Sequence, residues 1–440
     1  MMNMIYNAMV EILAKEESSR LEQFREAWKA YYGDLPKPLK VKPGNLDDNI
    51  RLNFARLVVD KGVSFLFGKK VDFELEEGET TPAEEWLLAC WQRNKKMTLL
   101  QKAALNGGVC GHCFLKIQWK PGDEFPRLIV LDPETVSVTL AADDLENILA
   151  YKIQYPSRDP KTKKPISIRQ LIERDGLIWR ITDQIGNVEN LNWVTTNEQT
   201  WAFAWAPIVD CQNLPVPNEF WGMSDIEPDI LEINKAINFS VSNTGRILKY
   251  HAHPKTWGRG FQGDQLKIAV DETLIIPSET GELHNLEMQT DLTSSIEFYN
   301  RLKEALHEMS RIPEVATGKL DSLGGLSGLA LQILYGPLLE KTEVKRLLYG
   351  DMLIELNRRL LEIGNFGSDN RTELHWQAML PKDEKQQRET ALVDQRLGVS
   401  KDTLLTQLGY NPDLEREKSA KDTEQLGEQL LTAFDQDQEQ

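Results

Sequence analysis

The stretch Pro313-Glu-Val-Ala-Thr-Gly-Lys-Leu-Asp-Ser-Leu-Gly-Gly-Leu-Ser327 decides the fold, because it is a glycine-rich loop between two long helical patterns. The first pattern opens at Ser294 and keeps apolar residues at helical spacing up to Pro313. The second opens at Ser327 and runs for about 36 residues, roughly 55 Å of helix, with Gly336 and Pro337 as a break inside it. A helix of this length is more typical of a subunit in a large assembly than of a compact enzyme domain.

The composition is that of a multi-region globular protein. With 440 residues and 41% hydrophobic content, the chain is long enough for two to four structural regions. Its longest apolar run falls far short of the about 18 residues that a membrane span needs, so no membrane contact is expected. The first ten residues lack a basic region, which argues against a secretory signal and predicts a protein that stays in the cytoplasm where it is made.

The net charge of −17 constrains the kind of nucleic-acid contact that the chain can make. Tight binding to phosphates depends on clustered Lys and Arg, so a protein that grips nucleic acid is disfavoured. An acidic wall that repels phosphate suits a channel through which DNA slides. The alternative is that the charge only keeps a large protein soluble.

The first half of the chain is predicted to be an α+β body. Apolar residues at helical spacing predict helices over Ser18–Tyr32 and Asp47–Phe67, and alternation predicts a strand over Val71–Leu75. From residue 148 to residue 205 the pattern is that of β-strands joined by turns. Shorter candidates are helices over residues 82–91 and 98–105 and strands over residues 113–119 and 127–130.

The second half is dominated by long helices. Ser224 and Glu227 have the spacing of a capping box and predict a helix that runs to about Tyr250. A compact segment with a β-like Thr273–Ile276 follows. After the long broken helix, the pattern predicts a strand over 372–376, a short capped helix over 399–408 and an acidic tail over 413–440.

The cysteines offer the only tempting catalytic motif. Cys110-Gly-His112-Cys113 matches the redox motif of protein disulfide isomerases, but a strand pattern follows it where a helix should begin. The same residues do not complete a zinc site, because no second Cys or His pair follows at the usual spacing. With Cys90 and Cys211, the four cysteines are expected to be reduced. We therefore predict no catalytic residue, no metal and no cofactor.

Two charged residues stand out within the glycine-rich loop. Lys319 and Asp321 are the only charges between Glu314 and Glu340. A single lysine in a loop is usually just solvated, whereas in a ring of identical subunits it would form a collar of charge around the axis.

Three stretches resemble the portal, or head-to-tail connector, proteins of tailed double-stranded-DNA bacteriophages, in the siphophage branch. They occur in the order that this family has, and together they span most of the chain. The stretches are Asn53–Gly68 with Val71-Asp-Phe73, Ile312–Ala316 continuing through Ser327–Leu331, and Trp376 followed by Pro381–Glu384 and Val399–Thr403.

The resemblance implies the portal fold, with an α/β wing, a long helical stem, a small α/β clip and a helical crown. It places the wing at 1–223, stem helices at 224–250 and 294–312, the clip at 251–293, the tunnel loop at 313–326, the kinked wing helix and return strand at 327–381, and the crown with the acidic tail at 382–440. Gly318, Lys319, Asp321, Gly324, Gly325 and Ser327 would face the DNA, and Gly336 and Pro337 would form the helix kink.

The resemblance also implies partners. Such proteins form a cyclic homo-oligomer, usually of twelve subunits, at one vertex of the virion capsid after assembly in the host cytoplasm. Double-stranded DNA passes through the ring non-specifically, and the partners are the terminase large subunit, head-completion or adaptor proteins, and the major capsid and scaffold proteins. The family does not hydrolyse ATP, which agrees with the glycine-rich turn Gly324–Gly328, since it lacks the Lys-Ser/Thr that completes a P-loop. Two alternatives stay open, namely a thiol- or metal-dependent enzyme around Cys110, His112 and Cys113, and a soluble acidic scaffold protein.

Overall fold

The computed structural model describes most of the chain. The described residues are 2–44, 46–75, 81–187, 192–252, 256–260, 280–285, 292–317, 328–367, 371–380 and 384–408, together with 412, 415, 416, 418 and 419. They fall into two units, the first within residues 1–324 and 334–377 and the second within residues 325–333 and 378–440.

The described residues mix helices and strands. The helices are α1 Met2–Tyr32, α2 Phe54–Phe67, α3 Pro82–Arg93, α4 Lys96–Cys110, α5 Pro228–Ala252, α6 Thr293–Ser310, α7 Gly328–Ile363, α8 Glu384–Arg396 and α9 Lys401–Gln407. The strands are β1 Val71–Glu74, β2 His112–Gln118, β3 Arg127–Leu131, β4 Val136–Leu140, β5 Ile148–Arg158, β6 Pro165–Asp175, β7 Ile178–Asn187, β8 Trp193–Thr200, β9 Ile208–Gln212, β10 Thr256–Arg259, β11 Glu282–Asn285 and β12 Glu373–Trp376. This confirms the predicted α+β class.

The long helices of the second half agree with the sequence pattern. Helix α7 has the predicted length of 36 residues and continues through Pro337. Helix α6 starts one residue before the predicted Ser294 and ends at Ser310, where Arg311 adopts the left-handed conformation with φ 59°. The short helix α9 is capped as predicted, because the Ser400 side chain accepts a hydrogen bond from Thr403 N. The predicted strand 372–376 is present as β12.

Three helix predictions were wrong. Helix α1 begins at Met2, well before the predicted Ser18, and contains 31 residues. The helix predicted from Asp47 begins only at Phe54, because main-chain groups of Ile50 and Leu52 bond to side chains of α5. Ser224 does not cap α5, since its hydroxyl donates to Gly108 O and Val109 O and accepts from Ile226 N.

The strands build antiparallel sheets around the main core. Strands β4 to β8 form a five-stranded meander in sequence order, and a three-stranded sheet has the order β3-β2-β9. The largest core cluster includes Phe114 and Leu115 of β2, Leu100 of α4 and Leu353 and Leu356 of α7. Helix α7 therefore forms part of the core of the α+β body.

A second layer of the first unit consists of helices. Ile230 and Ile237 of α5, Leu306 of α6 and Leu338 of α7 share one buried cluster with Val58 of α2. Helices α5 and α6 thus pack together against α2 near Val58. No helix within the described ranges is long and apolar enough to cross a membrane.

Candidate functional site: a helix junction at Asp225 and the faces of α5 and α6

The site residues predicted in the glycine-rich loop lie outside the described residues. These are Gly318, Lys319, Asp321, Gly324, Gly325 and Ser327. Gly336 and Pro337 lie inside α7, where the helix continues on both sides of the proline. The kink at these two residues stays a prediction.

The first residues of this loop are fixed to the end of α6. Ile312 N donates to His307 O at 3.1 Å, and the His307 Nδ1 atom lies 2.8 Å from Ile312 O. The Lys303 ammonium pairs with the Glu314 carboxylate just beyond. These contacts fix the position of Ile312 and Glu314 relative to α6, where the loop begins.

The Cys110–Cys113 motif is split between two elements. Cys110 is the last residue of α4, and burial raises the pKa of its thiol well above the ordinary value. The His112 Nε2 atom lies 3.0 Å from Asp210 Oδ2, and Tyr151 OH donates to the other oxygen of the same carboxylate at 2.9 Å. Among the described residues, no three His, Cys, Asp or Glu side chains are grouped to hold a metal ion. The motif serves the packing of β2.

A cysteine pair that the sequence did not indicate joins β2 and β9. Cys113 and Cys211 are register partners in these strands, and their Sγ atoms are 3.5 Å apart. Burial raises the pKa of the Cys211 thiol well above its ordinary value, and the neighbouring Cys113 raises it further. The Cys211 thiol is therefore protonated and unreactive at neutral pH.

The main charged cluster of the interior is a junction around Asp225, just before α5. Lys345 Nζ lies 2.5 Å from Asp225 Oδ2, and Lys341 Nζ lies 3.0 Å from Oδ1. Asp225 is 1% exposed, and both lysines are buried. Asp225 N donates to Gly108 O at 2.8 Å, so the same residue also binds the last turn of α4. The junction thus ties α4 and α7 to the start of α5.

Electrostatics keeps this junction ionised. Burial raises the pKa of Asp225, but the charges of Lys345 and Lys341 outweigh burial, so that its pKa lies below the ordinary value. Burial and the like charge of Lys341 lower the pKa of Lys345, against the attraction of Asp225. Buried ions are stable only when they are paired and hydrogen-bonded, which makes each partner dependent on the others.

Glycines make room for the junction. A Cβ atom at Gly62 of α2 or at Gly108 of α4 would lie 3.0 Å from Asp225 Oδ2. A Cβ atom at Gly107 would lie 1.9 Å from the Tyr349 hydroxyl, which is one turn beyond Lys345 on α7 and donates to Asn213 Oδ1 at 3.3 Å. The Gly107-Gly108 pair therefore allows α4 to approach both α7 and Asp225.

Helices α5 and α6 also expose apolar side chains. Phe239 of α5 is 51% exposed and Phe298 of α6 is 53% exposed. Leu248, Ile296 and Met309 of the same two helices are exposed as well. Large exposed apolar groups on paired helices are typical of a surface that another protein covers.

The sequence of this chain matches the family described as "Phage portal protein, SPP1 Gp6-like" over residues 10–429. The chain belongs to this phage portal protein family. The portal family is a structural one, and its members are connector proteins of phage heads and tails. No protein of curated function matches the chain significantly.

Solved structures similar to this portal protein come from gene transfer agent (GTA) particles. One, the neck of an empty GTA particle computed with C6 symmetry, is 11% identical, with a TM-score of 0.53 over 81% of this chain and 90% of that chain. A second, the virion of the native particle, is 12% identical, with a TM-score of 0.50 over 89% and 94% of the two chains. A third, the neck of the native particle computed with C12 symmetry, is 12% identical, with a TM-score of 0.50 over 81% and 90%. At these identities the likeness shows a shared fold.

Sequence reasoning recognised the portal family but missed the Asp225 junction. The only signal is that Lys341 and Lys345 are four residues apart and so lie on one face of a helix that also carries Glu340, Glu343 and Arg346. Two lysines on one buried helix face require a carboxylate partner. Nothing in the local pattern indicates that Asp225, 120 residues before Lys345, is this partner.

Proposed function

We propose that this portal protein forms a closed ring of identical subunits through which double-stranded DNA passes at one vertex of a phage capsid. The ring is a passive conduit, without a catalytic centre of its own. The number of subunits proposed is twelve, and the C12 symmetry of the similar GTA neck supports a ring of this kind.

The observation that carries the proposal is the exposure of Phe239 on α5 and Phe298 on α6. The inner faces of both helices are buried in the cluster of Ile230, Ile237 and Leu306, so Phe239 and Phe298 have no place in the core of the same subunit. A contact between the α5 side of one subunit and the α6 side of the next is heterologous, and repeated contacts of that type form a ring when the rotation between neighbours closes. The two phenylalanines would then be buried between neighbours.

The regions of the ring follow from this arrangement. Helices α5 and α6 form the stem, and residues 251–293 between them, with the β10–β11 pair, form the clip. Residues 313–326 form the tunnel loop, residues 382–440 form the crown, and the α+β body with α7 forms the wing. The hydrogen bond between His307 and Ile312 fixes the end of α6 from which the proposed tunnel loop begins.

Charge suits the passage of DNA. The chain carries −17, so a lumen lined by it repels phosphate and holds no segment of the duplex tightly. Lys319 and Asp321 of the tunnel loop would present alternating charges to the duplex. The proposed partners are the terminase large subunit and the adaptor proteins at the clip, and the major capsid and scaffold proteins around the wing.

The test is to remove the exposed apolar groups of the stem. Phe239→Ser with Phe298→Ser should abolish rings in sedimentation and electron microscopy while the subunit unfolds at the wild-type temperature. The control is Leu177→Ser in the β6–β7 turn, where the leucine is 80% exposed and no ring contact is proposed. Rings of unchanged stability in the double variant would contradict this interface.

A further inference from the structure

A row of polar side chains lies buried along α5, at positions where a stem helix would be expected to carry apolar residues. Asn234, Asn238 and Ser242, here called the polar ladder, follow each other at intervals of four residues. Asn234 and Ser242 are completely buried, and Asn238 is 2% exposed. Buried polar groups of this kind require hydrogen-bond partners.

The partners are main-chain groups of residues 48–54, here called the strap. The Asn234 Oδ1 atom accepts from Phe54 N at 3.0 Å, and its Nδ2 atom donates to Leu52 O at 2.8 Å. The Asn238 Oδ1 atom accepts from Leu52 N at 2.8 Å. The Ser242 hydroxyl accepts from Ile50 N at 2.9 Å and donates to Ile50 O at 3.0 Å. Together, the three ladder side chains bind the backbone of every second strap residue, at positions 50, 52 and 54.

The spacing explains why the two elements match. Four residues of an α-helix rise about 6 Å. Two residues of an extended chain rise about 6.6 Å. The polar ladder and the strap therefore stay in register over three steps, and Arg246 closes the far end by binding Asp48 Oδ1 at 2.8 Å.

The strap also reaches α6. Its Leu52 and Phe54 side chains pack against the buried cluster that contains Leu306 of α6, and the Phe54 ring stands edge-on to His307 at 6.4 Å. The main chain of the strap is thus held by α5 while its side chains contact α6. The strap is therefore bound to both helices.

We infer that the polar ladder is a binding site for an extended main chain, and that the strap seated in it sets the orientation of α6 relative to α5. The ladder bonds only to backbone groups of the strap. Changes in the strap side chains should therefore leave binding intact, whereas removal of a bonded N–H should weaken it. The second part rests on the proposed ring, because the orientation of the two helices decides how Phe239 and Phe298 meet the next subunit.

The first experiment compares two proline variants of the strap by amide hydrogen exchange. Ile50→Pro removes an N–H that the ladder binds, whereas Arg51→Pro places the same ring one residue later, between two bonded positions. Exchange at Leu52 and Phe54 should accelerate by about tenfold or more in Ile50→Pro and stay near wild type in Arg51→Pro. Equal exchange in the two variants would overturn the inference.

The second experiment changes the ladder itself. Asn238→Leu keeps the size of the side chain and removes the acceptor for Leu52 N, and Asn197→Leu makes the same change at an exposed position of β8, where no ring contact is proposed. Asn238→Leu should expose Leu52 N to exchange and yield fewer rings or rings of mixed subunit number, with Asn197→Leu like wild type in both. Normal rings together with fast exchange would refute the orienting role. If the wild type forms no rings, the proposed function is contradicted. The exchange data still test whether the polar ladder binds the main chain of the strap.

Discussion

The ammonium group of Lys345 lies 2.5 Å from the carboxylate of Asp225, although the two residues are 120 positions apart and both are buried. Lys341 binds the other carboxylate oxygen from one turn earlier on α7. This contact fixes the start of α5 to the long helix of the α+β body. In the proposed ring it connects the stem to the wing.

Replacement of Asp225 should be strongly destabilising. Asp225→Asn leaves two buried ammonium groups without a counter-ion, and breaking a buried pair in this way costs about 3–5 kcal/mol of unfolding free energy. Chemical denaturation of the purified subunit measures the loss. The matched control, Asp143→Asn, changes an exposed carboxylate in the turn between β4 and β5 and should be near neutral. A loss below about 1 kcal/mol at Asp225 would mean that the lysines do not depend on it.

The stabilisation by Asp225 should depend on pH in the acid range. Because the folded pKa lies below its ordinary value of 3.8, the unfolded state binds more protons in the window between the folded pKa and 3.8. The contribution is therefore fully present above 3.8 and is lost as the pH falls through the folded pKa. Below pH 4 the unfolding free energy of the wild type should fall more steeply than that of Asp225→Asn, which has no carboxylate to protonate at this position. If the stability advantage of the wild type over Asp225→Asn grew below pH 4, the folded pKa of Asp225 would not be lowered.

The close approach of α4 to α7 should make Gly107 sensitive to a single added methyl group. Gly107→Ala places a Cβ atom 1.9 Å from the Tyr349 hydroxyl and should destabilise the subunit by about 1–3 kcal/mol. Adding Tyr349→Phe removes the clashing oxygen and should restore part of the stability. The control is Gly336→Ala, where nothing lies within 4 Å of the new atom, and this variant should be neutral or slightly stabilised. Additive losses in the Gly107 and Tyr349 double variant would argue against the contact.

The tunnel-loop proposal predicts a separation of assembly from DNA packaging. Lys319→Glu should leave ring formation intact and reduce the amount of DNA packaged, because the cation facing the phosphates becomes an anion. Lys40→Glu, at an exposed position between α1 and α2, makes the same charge change away from the loop. In packaging assays, Lys319→Glu should package less DNA than Lys40→Glu. Equal packaging would show that the charge of the loop is incidental.

Long periodic segments were the most predictable part of the fold. Helices α6 and α7 were predicted nearly to their ends, because their apolar spacing is regular and glycine, proline or a capping residue stands near each end. The five-stranded sheet was recognised as β structure from its alternation and turns. The order of the sequence motifs sufficed to recognise the portal family.

The strap shows why other parts could not be predicted. Ile50, Phe54 and Leu57 have helical spacing, and so a helix was predicted from Asp47. The deciding partners are Asn234, Asn238 and Ser242, about 180 to 190 residues later in sequence, and they bind the backbone and leave no trace in the strap side chains. Local periodicity therefore predicts a helix that does not form when a distant helix satisfies the main-chain hydrogen bonds of the segment.

The cysteine motif, which the sequence already disfavours as a redox or zinc site, is divided between two elements. Cys110, His112 and Cys113 are neighbours in sequence, but the end of α4 and the start of β2 direct them to different partners, namely Asp210 for His112 and Cys211 for Cys113. The residues that do share a cluster, Asp225, Lys341 and Lys345, come from two elements that are distant in sequence.

The most direct test of the portal account is electron microscopy of the purified wild-type protein, with symmetry counted in end views. The account predicts closed rings, about twelve subunits each, with a central hole wide enough for duplex DNA. The same preparation in sedimentation should contain little free subunit at moderate concentration. A discrete monomer or dimer at every concentration and salt level would contradict the account.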